Sequence, residues 1–118
     1  MHARQDQPEW VYLDSGASVL VRGIKSPTAL QRMKKLPQSV RRAMTGGAGA
    51  WNDRTWRAYC DFLAETILCG WDAIEVGGER VEFTRDRAAE FLRTNYDFHW
   101  LVLEAARGDL TPEVATNG

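Results

Sequence analysis

The sequence predicts an α+β domain, mostly α-helical, with an N-terminal β-hairpin, about four to five helices and a second short hairpin before the last two helices. Three observations carry this. Two apolar runs rich in β-formers, Trp10–Leu13 and Ser18–Arg22, flank the turn residues Asp14-Ser15-Gly16-Ala17. Trp56, Tyr59, Cys60, Leu63 and Ile67 recur at the spacing of one helical face. Two alternating stretches, Trp71–Val76 and Glu79–Phe83, are joined by Gly77-Gly78. The 118 residues, 44% hydrophobic and 26% charged, fit a single globular domain and not a disordered chain. That domain is expected over 10–108, with flexible segments at 1–9 and 109–118.

After the first hairpin, Ser26-Pro27 opens a helix, with Ser26 as N-cap and Pro27 in the first helical position. Ala29, Met33, Leu36, Val40 and Met44 continue it as one apolar stripe. Pro37 lacks a backbone donor and predicts a kink or a break into two short helices. Gly46, Gly47 and Gly49 read as a joint between helices; no Gly-Lys-Ser/Thr follows, so they are no phosphate loop. Asn52 caps a helix running to about Cys69, with Gly70 placed as its left-handed C-terminal cap. Thr84 caps a helix over Arg85–Thr94 with Ala88, Phe91 and Leu92 inward. Asp97 is the expected cap of the last helix, Phe98–Arg107, closed by Gly108. The core is assigned to Trp56, Tyr59, Leu63, Ile67, Phe91, Leu101 and Val102. Trp71 and Asp72 are read as fixing the corner between helix and hairpin.

The net charge is −1, which favours neither a nucleic-acid nor a membrane-surface protein. Its distribution is uneven. Residues 15–52 carry Arg22, Lys25, Arg32, Lys34, Lys35, Arg41 and Arg42 and no acid, whereas 53–118 are net acidic. This basic stretch either packs against the chain's own acidic part or serves association with a second copy or an acidic partner. Nucleic-acid binding is disfavoured, because the stretch is poor in aromatics and the acidic remainder would repel a phosphate backbone. Apolar runs are too short to span a membrane, and the polar segment Met1–Trp10 lacks the apolar core of a signal peptide, so a cytosolic protein is expected.

Chemistry is sparse. His2 and His99 are the only histidines, and no metal-ligand spacing occurs. Cys60 and Cys69 are too few for a disulfide scaffold and are expected as reduced, partly buried thiols. Spacing permits a nucleophile pair of either cysteine with His99, but no flanking motif accompanies it. His99 is better read as a helix-surface or satisfied core residue. Asp61/Glu65 and Glu79/Glu82 read as solvated faces. No enzyme is expected, with no catalytic, cofactor-binding or metal-ligating residue and no cofactor. The last helix is apolar nearly all round: Phe98, Leu101, Val102 and Ala105 form one stripe, with Trp100 and Leu103 opposite. Such a helix is either central to the fold or half covered by a partner. The expected partner face is Trp100 and Leu103 with the basic residues Arg32, Lys35, Arg41 and Arg42.

The order Leu68-Cys69-Gly70-Trp71-Asp72-Ala73-Ile74, Gly77-Gly78, Val81-Glu82-Phe83-Thr84 and Ala88-Ala89-Glu90-Phe91-Leu92 resembles the tail assembly chaperones of long-tailed phages and prophages. A Trp-x-x-x-Asp strand at Trp10, a Val-x-Val-Arg strand at Val19 and Ser26-Pro27 extend the resemblance over about residues 10–107. The chain departs from the pattern at Gly46–Gly49 and at Val81-Glu82. The resemblance implies a non-enzymatic protein of the bacterial host cytoplasm, absent from the mature virion. It implies binding of the tape measure protein, which it keeps soluble, and recruitment of the tail tube protein. Two rival readings remain: a structural morphogenesis part, such as a head–tail connector or tail-end protein, and a nucleic-acid-binding regulator.

Overall fold

The structure, a computed structural model, describes residues 6–108. The mostly helical α+β architecture is as the sequence predicts. Strands β1 (Glu9–Tyr12) and β2 (Ser18–Val21) form the N-terminal hairpin, pairing Tyr12 with Ser18 and Glu9 with Val21. Helices α1 (Pro27–Met33) and α2 (Gln38–Gly46) follow, separated at Pro37 as its missing donor dictates. A 3-10 turn at Ala48–Ala50 leads into α3 (Asp53–Thr66), then β3 (Leu68–Asp72), the short pair β4 (Glu75–Val76) and β5 (Glu79–Arg80), α4 (Arg85–Thr94) and α5 (Tyr96–Ala106).

The first sheet has a third strand that periodicity did not reveal. β3 pairs antiparallel with β2, placing Val19 opposite Trp71 and Leu20 opposite Gly70, so the order is β1-β2-β3. The predicted helix to Cys69 therefore ends three residues early. Pairing with β2 captures Leu68–Asp72, and Gly70 is a strand residue, not a helix cap. A Cβ there would sit 3.5 Å from the Leu20 Cβ and 4.0 Å from the Trp10 ring, so the ring lies over bare backbone. The predicted hairpin arm Trp71–Val76 is split by the same pairing: Trp71 belongs to the first sheet, and Ala73, at φ +60°, turns the chain out of it. Beyond that turn Glu75–Val76 pairs with Glu79–Arg80, and the Val81 amide donates to the Ile74 carbonyl at 2.9 Å. Gly77 and Gly78, at φ +61° and +83°, supply the positive dihedrals of their two-residue turn.

Helix α3 is the central element, packed against α1, α2, α4 and β3. Phe62, Leu63, Ile67, Leu68, Leu92, Val19, Val40 and Val102 are buried around it. Of the predicted core, Tyr59 is also buried and Trp56 and Phe91 pack half-buried against it, whereas Leu101, half-buried on another side of α5, does not join it. Trp71 joins sheet to helices. Its Nε1 donates to the Val81 carbonyl at 2.8 Å, and its ring meets Phe83 and Phe91 at 5.1 Å and Phe98 at 6.1 Å. The predicted corner between helix and hairpin is displaced: Trp71 and Asp72 lie within and at the end of β3 in the first sheet, because pairing with β2 captures this stretch.

Caps fix the helix starts. Ser26 accepts from the Ala29 amide, and Thr84 accepts from the Arg87 amide. Asn52 and Thr55 form a reciprocal capping box on α3, each side chain accepting from the other's amide at 2.9 Å. Asn52→Ala is expected to lower stability by about 1 kcal/mol, read as a shift in the urea midpoint at unchanged slope. The last helix starts earlier than predicted: Asn95, not Asp97, caps it by accepting from the Phe98 amide at 3.1 Å. Asp97 lies in the first turn, where its charge still favours the helix dipole.

Within the segment 1–9, expected to be flexible, Asp6 makes hydrogen bonds and Glu9 begins β1. Asp6 Oδ1 accepts from the Thr28 amide at 2.9 Å, and the Asp6 carbonyl accepts from Arg22 Nε at 2.9 Å. Hydrogen bonding to Thr28 holds the Asp6 carboxyl below its ordinary pKa. Arg22 also donates to the Thr66 carbonyl at 2.7 Å, at the end of α3. The remainder of that segment, 1–5, and the expected flexible tail at 109–118 lie outside the described residues.

Candidate functional site

The last helix decides where a site can lie. Phe98, Val102 and Ala106 repeat every four residues and turn one side of α5 into the core. His99 and Leu103, one position round, are buried as well. Tyr96 and Trp100, again four apart, are left 65% and 53% exposed. The helix is thus both central and incompletely covered, which joins the two alternatives that its composition offered.

Beside those exposed rings runs a cleft of about 640 Å³. The end of α2 gives it Ala43 and Met44; Trp51, Asn52, Asp53, Trp56 and Tyr59 come from the start of α3 and the turn before it. Tyr96, His99, Trp100, Leu103 and Arg107 complete it along α5. Its rings brace one another. Trp51 meets Trp56 edge-on at 5.5 Å and Tyr59 at 5.2 Å. Trp56 stacks on His99 at 4.5 Å and meets Tyr96 at 5.7 Å. Trp56 Nε1 donates to the Arg93 carbonyl at 3.0 Å, which fixes that ring to the end of α4.

Cys60 and His99 do come together, with Sγ 3.9 Å from Nδ1, but not as a nucleophile and its base. His99 Nδ1 lies 3.0 Å from the Leu92 carbonyl. A carbonyl only accepts, so Nδ1 carries the proton and cannot take one from the thiol. Burial pushes the Cys60 thiol up to about 12 and lowers the His99 pKa, so both groups stay neutral. Burial likewise raises Cys69, and raises Tyr59 to about 12. His99 is the satisfied core histidine of the two readings given to it, 1% exposed. Among the described residues, no group of three or more His, Cys, Asp or Glu is placed to hold a metal ion.

Burial of neutral His99 sets a pH dependence. Its folded pKa lies below the unfolded value of 6.5, so acid protonates the unfolded chain first. Stability is fully kept above 6.5 and falls as pH drops below it, by at most about 1.4 kcal/mol per pH unit for one proton. Urea midpoints between pH 7.5 and 5.5 will show this loss, and His99→Gln will flatten it.

The predicted partner residues do not form one surface. Trp100 is exposed at the rim of the cleft. Leu103 is a correction: the end of α2 and the Tyr59 side of α3 share its cleft, so it is 3% exposed and belongs to the floor. Arg32, Lys35, Arg41 and Arg42 are exposed on α1, the following turn and α2, but none lines the cleft. Arg32 Nη2 is bound by both carboxylate oxygens of Glu65 on α3, at 2.9 and 2.6 Å, so at this position the basic stretch packs against the chain's own acid. The cation of the cleft is Arg107, which sequence reasoning did not single out. It also missed Trp51, Asp53 and Tyr96. The concentration of Trp51, Trp56 and Tyr59, and the four-residue step from Tyr96 to Trp100, were the available signals.

The family model for the YdaY prophage protein matches residues 24–111, from the approach to α1 to beyond the end of α5. The chain belongs to the YdaY prophage protein family. The matched span contains every residue that lines the cleft. Compared with curated proteins and with solved structures, the chain matches none. The YdaY-family chain is therefore phage-associated, and among its described residues no helix is long and apolar enough to cross a membrane.

Proposed function

We propose that this YdaY-family protein is a non-enzymatic tail assembly chaperone that binds the tape measure protein through its aromatic cleft. The observation that carries the reading is the cleft itself: braced aromatic walls with Tyr96 and Trp100 held out at its rim. Rings of this kind are the usual anchors of protein interfaces. A tape measure protein exposes long apolar helical stripes until the tail tube encloses it. A small protein with one such cleft can coat those stripes repeatedly, each contact being weak and the sum strong. Prophage family membership and the motif order resembling tail assembly chaperones support the same reading. Recruitment of the tail tube protein, residence in the host cytoplasm and absence from the finished particle belong to this proposal.

The test is co-expression with the long helical protein encoded nearby, followed by affinity purification of this chain. The proposal expects the large protein to become soluble and to co-purify with several copies of the chaperone. Purification of the chain alone, with the large protein insoluble and the chain found in assembled particles, would transfer the assignment to a structural morphogenesis part.

A further inference from the structure

The cleft is lined by one charge of each sign, Asp53 in the first turn of α3 and Arg107 just past the end of α5. Asp53 lines it one turn before Trp56, whose ring meets Tyr96 at the start of α5. Arg107 lines it at the other end of α5, three turns and about 16 Å further on. Among the described residues no ion pair engages either group. Between them run Trp51, Trp56, Tyr59, Tyr96, Trp100 and Leu103, with room for several large apolar side chains. The long walls are helices, whose backbone groups are already paired. An occupant must therefore satisfy its own backbone, which a helix does and an extended strand does not.

Accepting the cleft as the partner site, we infer that its occupant is a helix of about three turns with an apolar stripe, a basic residue at one end and an acidic residue at the other. The base lies at the Asp53 end, where the faces of Trp51 and Tyr96 add cation–π attraction, and the acid pairs with Arg107. The flanking charges set the register of the stripe in the cleft, and the rings supply the bulk of the affinity.

The probes are stapled, end-capped helical peptides with the same leucine stripe and three kinds of flanking charge: lysine at both ends, glutamate at both ends, or one of each in either order. Tryptophan fluorescence titration at low salt reads the affinity. One of the mixed-charge orders is expected to bind the wild-type chain at least threefold more tightly than either like-charged peptide, the modest effect expected of exposed ion pairs. Asp53→Lys will move the preference to the glutamate peptide, and Arg107→Glu will move it to the lysine peptide. Asp53→Asn, which only removes the charge, serves if the lysine variant does not fold. Equal binding of all peptides overturns the charge rule while leaving the cleft a docking site. Binding of none overturns both.

Discussion

Replacing Tyr96 and Trp100 together by serine is expected to weaken binding of the helical partner by roughly thirty-fold or more while leaving the fold intact. Both rings are more than half exposed, and neither donates a hydrogen bond to the core. The main intramolecular loss is the contact of Tyr96 with Trp56 at 5.7 Å and of Trp100 with His99 at 5.9 Å, a cost of about 1 kcal/mol. Circular dichroism of the double variant will therefore resemble the wild type, its urea midpoint will fall by no more than that of Asn52→Ala, and co-purification will fail. Retained co-purification by a folded double variant would remove the cleft from the account. Leu103 is the wrong residue for this purpose. It is buried, so a serine there would strand a hydroxyl in the floor and confuse loss of folding with loss of binding.

Trp71→Ala is expected to have the largest effect on stability, a loss of about 3–5 kcal/mol. That is a large share of the 5–15 kcal/mol that holds a typical domain together, and the melting temperature will fall on the order of 10–20 °C. The reason is position. Trp71 is the residue of β3 that reaches from the sheet to Phe83, Phe91 and Phe98, and its indole satisfies the Val81 carbonyl. Trp71→Phe keeps a ring and loses the hydrogen bond, so its cost falls to about 1–2 kcal/mol. Calorimetry on both variants gives the comparison. A Trp71→Ala loss below about 1 kcal/mol would contradict the packing described here.

Much of this architecture was legible in the residues themselves, for identifiable reasons. Local signals are strong where one residue type does one job: Ser26, Asn52 and Thr84 cap, Pro37 breaks a helix, Gly77-Gly78 turns a hairpin. The misreadings lie where a distant partner decides. Leu68–Cys69 continue a helical pattern, and only pairing with β2, some fifty residues earlier, makes them a strand. Gly70 has the right identity for a helix cap and the wrong location, because the chain has already left the helix. Asn95 and Asp97 are both good caps, and the choice between them depends on how tightly α4 and α5 abut.

The cleft was half legible. The exposed apolar surplus on the last helix pointed to Trp100, while the basic stretch drew attention to charges that do not line it. Arg107 and Asp53 are single charges in unremarkable local sequence. They line one cleft only when the chain folds the start of α3 and the end of α5 around it, a fact of tertiary packing that no spacing encodes.

The most direct test of the central claim is photo-crosslinking during particle assembly, with a crosslinking phenylalanine derivative in place of Trp100. The same substitution at Tyr12, exposed on the β1 strand of the sheet, is the control. The account predicts a crosslink from position 100 to the tape measure protein, none from position 12, and no chain in the finished particle. A crosslink from position 12 alone, or a position-100 adduct retained in purified particles, would contradict it.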